Sequence, residues 1–328
     1  MASVSGNIVY YGEDMSAVIN RTAPSATVTN PTFAVPGTLD LGATFYWAVD
    51  TVNGVDTWPG ELWSFTTIDW LSVDDMESYV PWTQSGNHIF EKWRDAFGDC
   101  SPGNGNNTGA TLTENPTPVN GGIQSMKYDY DNDGTVYSPC SMAQEGGHLL
   151  YSRVEAQVAG LPSGIGTNWT IQGVKALSLR FYGGTLNAVE PMWVQLKGGS
   201  GYGSKVTYGD YQDEDANAVT EESWHEWFID MADFGVDLSN LVSISIGFGN
   251  ENGSGNHGSG KVYFDDFRLY TSRCMPSRHT AEQANLDFAP VGAPDCVVNY
   301  KELDVMADDW LLTDVLETGE LLVRWQFN

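Results

Sequence analysis

The sequence predicts an all-β chain whose largest part is a two-sheet β-sandwich of jelly-roll type. Three observations carry that prediction. Short runs rich in β-branched and aromatic residues recur with a period of two. Stretches rich in Gly, Asn and Asp, such as 103–109, 131–135 and 249–260, separate them. Between residues 73 and 271 no helical period persists over any length. The 36 glycines, 14 prolines and 12% aromatic residues fit many short strands joined by tight turns. With 41% hydrophobic residues in 328 there is material for a true core, and the length predicts two or three domains.

The first segment, residues 1–68, alternates as half-buried strands do from residue 8 onward. Phe45-Tyr46-Trp47-Ala48-Val49-Asp50 reads as a strand and Asn53-Gly54 as a hairpin turn. Leu62-Trp63-Ser64-Phe65-Thr66-Thr67 is the returning strand. The run Gly42-Ala43-Thr44-Phe45-Tyr46-Trp47, followed by Trp63-Ser64-Phe65-Thr66-Thr67, resembles the second half of a fibronectin type III domain. That resemblance implies two further strands ahead of Ile8, so the expectation is a partial or degenerate copy.

Residues 73–272 supply the sandwich. Its candidate strands are 124–130, 149–158, 176–182, 192–196, 205–208, 224–230, 241–248 and 261–270. Alternation assigns their faces. Leu177, Leu179 and Phe181 point to the core, which turns Arg180 and Tyr182 outward with Ser178. The same rule turns out Tyr151, Arg153 and Glu155, Trp193 and Gln195, and Ser243 and Ser245. If these strands share one sheet, they form an aromatic and polar surface suited to sugar hydroxyls and C–H faces. The competing reading is a face covered by a loop, and a one-residue register slip would reverse every assignment.

The pairing of Val73-Asp74-Asp75-Met76-Glu77-Ser78-Tyr79 with Val262-Tyr263-Phe264-Asp265-Asp266-Phe267-Arg268-Leu269-Tyr270 resembles the opening and closing strands of galactose-binding-like β-sandwiches. Many carbohydrate-binding modules belong to that group. Gly121-Gly122-Ile123-Gln124-Ser125-Met126-Lys127, Ser223–Asp230 and Ile244–Gly249 match in the same order, over about 200 residues. The set also looks like a domain of secreted planctomycete-type proteins. The resemblance implies polysaccharide or glycan binding on a sandwich face or loops. It also implies a structural calcium between Glu77, Asp265 and Asp266, with the loop near Asn120 contributing. Carboxylates brought together repel unless a cation sits between them, and hard oxygen ligands favour calcium. The plain alternative is acids solvated at a sheet rim.

Residues 280–312 change character. Leu303, Met306, Ala307, Trp310 and Leu311 fall on one face of a short amphipathic helix. Asp295, Asn299 and Glu302 resemble part of a dockerin or EF-hand loop, which implies a second calcium site. Ala293 and Val291 occupy positions where that pattern needs oxygen ligands. Residues 313–328 resemble the opening strand of a laminin-G-like domain, so the chain is expected to be cut from a longer protein with further domains. Met1-Ala2-Ser3 is no secretion signal, and any leader is expected upstream. Of the three pairings open to Cys100, Cys140, Cys274 and Cys296, sequence proximity favours Cys100–Cys140 with Cys274–Cys296, as expected outside the cell.

Forty-three acidic against 15 basic residues give a net charge of −28. Nucleic acid and anionic membranes are therefore poor partners, because no basic patch exists to release counterions. No GxSxG, HExxH or P-loop is present, and the acids at 210–215 read as a solvated loop. The expectation is an extracellular, non-catalytic binding module. An adhesive spacer and a polysaccharide-degrading enzyme are the alternatives.

Overall fold

The computed structural model describes residues 6–81, 83–94, 109–114, 118–132, 150–211, 214–250, 258–271, 302–303 and 305–307. Every strand pairing among them is antiparallel, and the chain is all-β apart from short helices. The four cysteines lie outside the described residues, as do Asp295 and Asn299.

A first sheet holds β1 (Gly6–Gly12), β2 (Ser25–Val28), β3 (Thr44–Asn53), β4 (Asp56–Trp58) and β5 (Leu62–Thr66), in the order β2-β1-β3-β4 with β5 also on β3. The turn at Asn53-Gly54 closes on β4, and β5 then pairs with β3 through Trp47↔Trp63. Between β1 and β2 lies α1 (Met15–Ile19), whose N-cap Asp14 accepts the amides of Ser16 and Ala17. Its Val18 is buried with Ala23 and Ala48. Five residues are too few to show a helical period, so the sequence hides this helix.

Two further sheets form the sandwich. Their strands are β6 (Trp70–Asp74), β7 (Trp93–Arg94), β8 (Gly109–Glu114), β9 (Gln124–Asp131), β10 (Tyr151–Gln157), β11 (Ala176–Tyr182), β12 (Met192–Gly198), β13 (Gly201–Thr207), β14 (Trp224–Asp230), β15 (Leu241–Gly249) and β16 (Ser259–Tyr270). One sheet runs β13-β12-β15-β10-β7. The other runs β14-β11-β16-β9-β8, with β6 also on β16. Their inner faces meet in an aromatic core. Tyr130 stacks on Phe248 at 4.3 Å, and Tyr128 sits between Phe248 and Phe264. Phe181 meets Tyr208 edge-on at 4.9 Å. Such pairs contribute about 0.5–1.5 kcal/mol each beyond area burial. Leu177, Leu179 and Phe181 are all fully buried, as alternation predicts.

Among the described residues no helix is long and apolar enough to cross a membrane. Towards the C-terminus, 302–303 and 305–307 are helical, and Glu302 is buried.

Candidate functional site

The acids of the opening and closing segments meet at a joint in the second sandwich sheet. Strand β16 is long enough for two partners end to end along one edge. Its first half pairs with β9 and its last residues pair with β6. The gap between β6 and β9 is filled by the loop 120–123. A register shift in β16 falls here, and Asp266 takes the left-handed φ of 51°. Met76 does the same at 62°, ending β6, so Glu77 lies beyond the strand rather than on it.

Each carboxylate grips the loop. Glu77 Oε1 accepts the amides of Ile123 (2.9 Å) and Gln124 (3.1 Å). Asp265 Oδ2 accepts those of Asn120 (2.9 Å) and Gly121 (3.1 Å). Asp266 takes Asn120 Nδ2 at 2.5 Å and the Arg268 guanidinium at 2.9 Å. The loop comes this close because Gly122 has no Cβ: one added there would lie 2.3 Å from the Glu77 carboxyl carbon. Burial pushes the Asp265 carboxyl up to about 7, against the pull of the Asn120 and Gly121 amides. As placed, no group of three or more His, Cys, Asp or Glu among the described residues is arranged to hold a metal ion.

Nearby, Asp74 is buried and ties the two sandwich sheets together. It accepts the Tyr79 hydroxyl at 2.6 Å, the Trp93 indole N–H at 2.9 Å and the Met76 amide at 3.0 Å. Asp74 belongs to β6 and Trp93 to β7, so the bond crosses between sheets.

Six of the eight side chains expected to bind ligand lie together on the outer face of the first sandwich sheet. These are Tyr151, Arg153, Trp193, Gln195, Ser243 and Ser245. Arg180 and Tyr182 do not join them. They stand on β11 of the opposite sheet, where Arg180 pairs with Glu226 at 2.6 Å and Tyr182 packs edge-on against Trp224. Alternation places a side chain on a face but does not say which strands share a sheet, and that expectation is corrected here.

The outer face has a definite relief. Its middle strand, β15, contributes only Ser243, Ser245, Gly247 and Gly249. Large side chains flank it in register: Arg153↔Gly247↔Trp193, Glu155↔Ser245↔Gln195 and Gln157↔Ser243↔Lys197. The result is a trough along β15. At a rise of about 3.3 Å per residue, the span 243–249 runs for roughly 20 Å. Glu155 on one bank accepts Ser243 Oγ at 2.6 Å, with Arg153 at 3.6 Å, and it accepts the hydroxyl of Tyr202 from β13 at 2.9 Å, so the tyrosine reaches across the trough. Burial, then the bond to Glu155, holds the Tyr202 phenol above its usual value. On the other bank Trp193 lies over Gly247, donates to Gly249 O at 2.9 Å and carries Lys205 Nζ at 4.0 Å.

The trough is filled by its own side chains. Ser243 and Ser245 on its floor are 0% exposed, Trp193 2%, Arg153 5% and Tyr151 8%, whereas Tyr202 is 45% exposed, and Gln157 and Arg94 are exposed as well. Ser245 Oγ is buried without a hydrogen-bond partner among the described residues.

The sequence matches no protein-family model and no curated protein. Solved structures with partial likeness include a carbohydrate-binding module of the β-sandwich superfamily, 12% identical (82% of this chain, 86% of that one, TM-score 0.33). Another is the family 11 carbohydrate-binding module from Clostridium thermocellum in complex with a β-1,3-1,4-mixed-linked tetrasaccharide, 16% identical (50% and 82%, TM-score 0.30). A third is a surface glycan-binding protein from Prevotella bryantii, 10% identical (81% and 69%, TM-score 0.34). At such TM-scores the functional reading rests on this chain's own residues.

Proposed function

We propose that the chain is a non-catalytic carbohydrate-binding module of an extracellular multidomain protein, and that a polysaccharide lies along the β15 trough. One observation carries this reading: every side chain on that face is aromatic, polar or absent, and the smallest occupy the central strand. A sheet face meant only for packing would bury aliphatic residues instead. Here Tyr202 offers its ring to sugar C–H faces, while Glu155 and Gln195 offer acceptors and a donor to hydroxyls; the buried Trp193 and Arg153 set the shape beneath them. Ligand reaches the floor of the trough only when the half-exposed Tyr202 swings off Glu155. Affinity electrophoresis against a panel of soluble β-glucans, xylan and mannan tests it. Gln195→Ala and Tyr202→Ala, both outside the core, are expected to weaken binding about tenfold each. Absence of binding across the panel points to an adhesive spacer instead.

The reading includes a structural calcium at the acid joint, held by Glu77, Asp265, Asp266 and the loop at Asn120. Hard oxygen donors and the burial of Asp265 beside Asp266 support it. Glu77 and Asp266 must then turn from their present N–H partners toward the ion. At calcium one hundredfold above its Kd, linkage predicts about 2.7 kcal/mol, or roughly 5–10 °C in Tm relative to EDTA. Glu77→Gln removes most of the increment. Equal melting in calcium and in EDTA would show that the acids serve only to latch the loop.

A further inference from the structure

The opposite sandwich sheet carries a cleft of about 750 Å³ that the trough does not use. That volume lies in the range of small-molecule sites. Tyr182 and Tyr263, cross-strand neighbours on β11 and β16, form its aromatic part with rings 6.2 Å apart and edge to face. The loop 183–188 forms the wall, and it is pinned from both sides. Asn187 Nδ2 donates to Val219 O (2.7 Å) and Lys261 O (2.6 Å), while its Oδ1 accepts the Lys261 amide (2.7 Å). Gly184 N bonds Val219 O and Ala188 N bonds Ser259 O, both at 3.1 Å.

This pinned loop holds Leu186 at its tip, 96% exposed. An exposed leucine alone needs no explanation. Fixed by these hydrogen bonds, and by the Tyr130 hydroxyl on Ala188 O, over a cavity lined by Tyr130, Tyr182 and Tyr263, it is an apolar surface kept ready for a ligand. Asp129, Asp131 and Glu222 also line the cleft, against a single lining cation, Lys261. Asp129 draws both Lys127 (2.8 Å) and Lys261 (3.9 Å). Carboxylates accept hydroxyl protons well and repel anionic groups, so uronic and sulfated units are poor occupants. Aromatic rings, one aliphatic wall and several acceptors together suit an uncharged pyranose.

We propose that this cleft is a second binding site, separate from the trough, for a unit of a neutral saccharide. It depends on no residue of the β15 face, so the two sites can fail independently. Isothermal titration of the full chain with cellotetraose, laminaritetraose, xylotetraose and mannotetraose, and with tetragalacturonate as the anionic probe, tests it. Leu186→Ser touches no core residue, and Tyr263→Ala removes half the aromatic pair. Each is expected to lower affinity for at least one neutral tetrasaccharide about fivefold, at unchanged Tm for Leu186→Ser, while tetragalacturonate binding does not respond. Loss with the cleft variants but not with Gln195→Ala upholds the cleft and removes the trough. Loss with Gln195→Ala alone, or wild-type binding in both cleft variants, overturns the cleft. So does the absence of neutral tetrasaccharide binding at millimolar concentration.

Discussion

Asp74→Ala is expected to lower the stability of the sandwich by about 4 kcal/mol, read as a shift of the urea midpoint at constant slope. The residue is 1% exposed and supplies the acceptor for three donors. Removing it strands the Tyr79 hydroxyl and the Trp93 indole N–H in a buried space, at about 1–3 kcal/mol each. It also cuts the bond joining β6 to β7, and so weakens the edge contact of Trp93 on Phe267 at 5.3 Å. Asp74→Asn separates hydrogen bonding from charge, since the amide keeps one acceptor oxygen.

The pH dependence of that pair has a definite sign. Burial is the largest influence on Asp74 and raises its carboxyl above the usual value, more than its three donors lower it. A folded value above the unfolded one means that folding takes up a proton. This residue's contribution is therefore most favourable below the unfolded value near 4 and declines as pH rises toward the folded one. The asparagine variant has no such decline, so its deficit relative to wild type should be smaller at pH 8 than at pH 4. An equal deficit at both would place the Asp74 carboxyl within the ordinary range.

Much of this fold was legible because period-two alternation is a local signal. All eight sandwich strands expected between 124 and 270 are present, within four residues at each end. Their inward residues, Leu177, Leu179 and Phe181 among them, are buried. Sheet membership was not legible, because it depends on which distant strands pair. Arg180 and Trp193 read alike in sequence and stand on opposite sheets. Strand β7, two residues long, gave too few for a pattern, and the six-residue β8 was not anticipated either. That Glu77, Asp265 and Asp266 belong to one region could be anticipated from the resemblance, but not its build, since the left-handed Met76 and Asp266 leave no mark in composition. The cleft was missed for a similar reason. Tyr263 sits in a strand read for its acids, and Asn187 matters through three hydrogen bonds to the backbone of distant segments.

Gly247→Ala should disrupt the trough more than any change to its banks. A Cβ at Gly247 would fall 2.1–2.6 Å from three atoms of the Trp193 ring, inside any tolerable contact. The indole cannot yield by a few tenths of an ångström, because its N–H is fixed on Gly249 O and its face carries Lys205. Trp193 must therefore leave, exposing about 150–250 Å² of aromatic surface and stranding its N–H, or β15 must shift between its two neighbours. Either way the expected cost is about 3 kcal/mol. Trp193→Ala provides the control, since it removes the ring and leaves Gly247 as it is. In the double variant the alanine meets no indole, so its added cost should vanish. If the two costs instead add, the ring does not lie on Gly247 in solution, and the shape proposed for the sugar-binding trough is wrong. If they do not add and Gly247→Ala also abolishes polysaccharide binding, the buried indole is the piece that shapes the trough for its ligand.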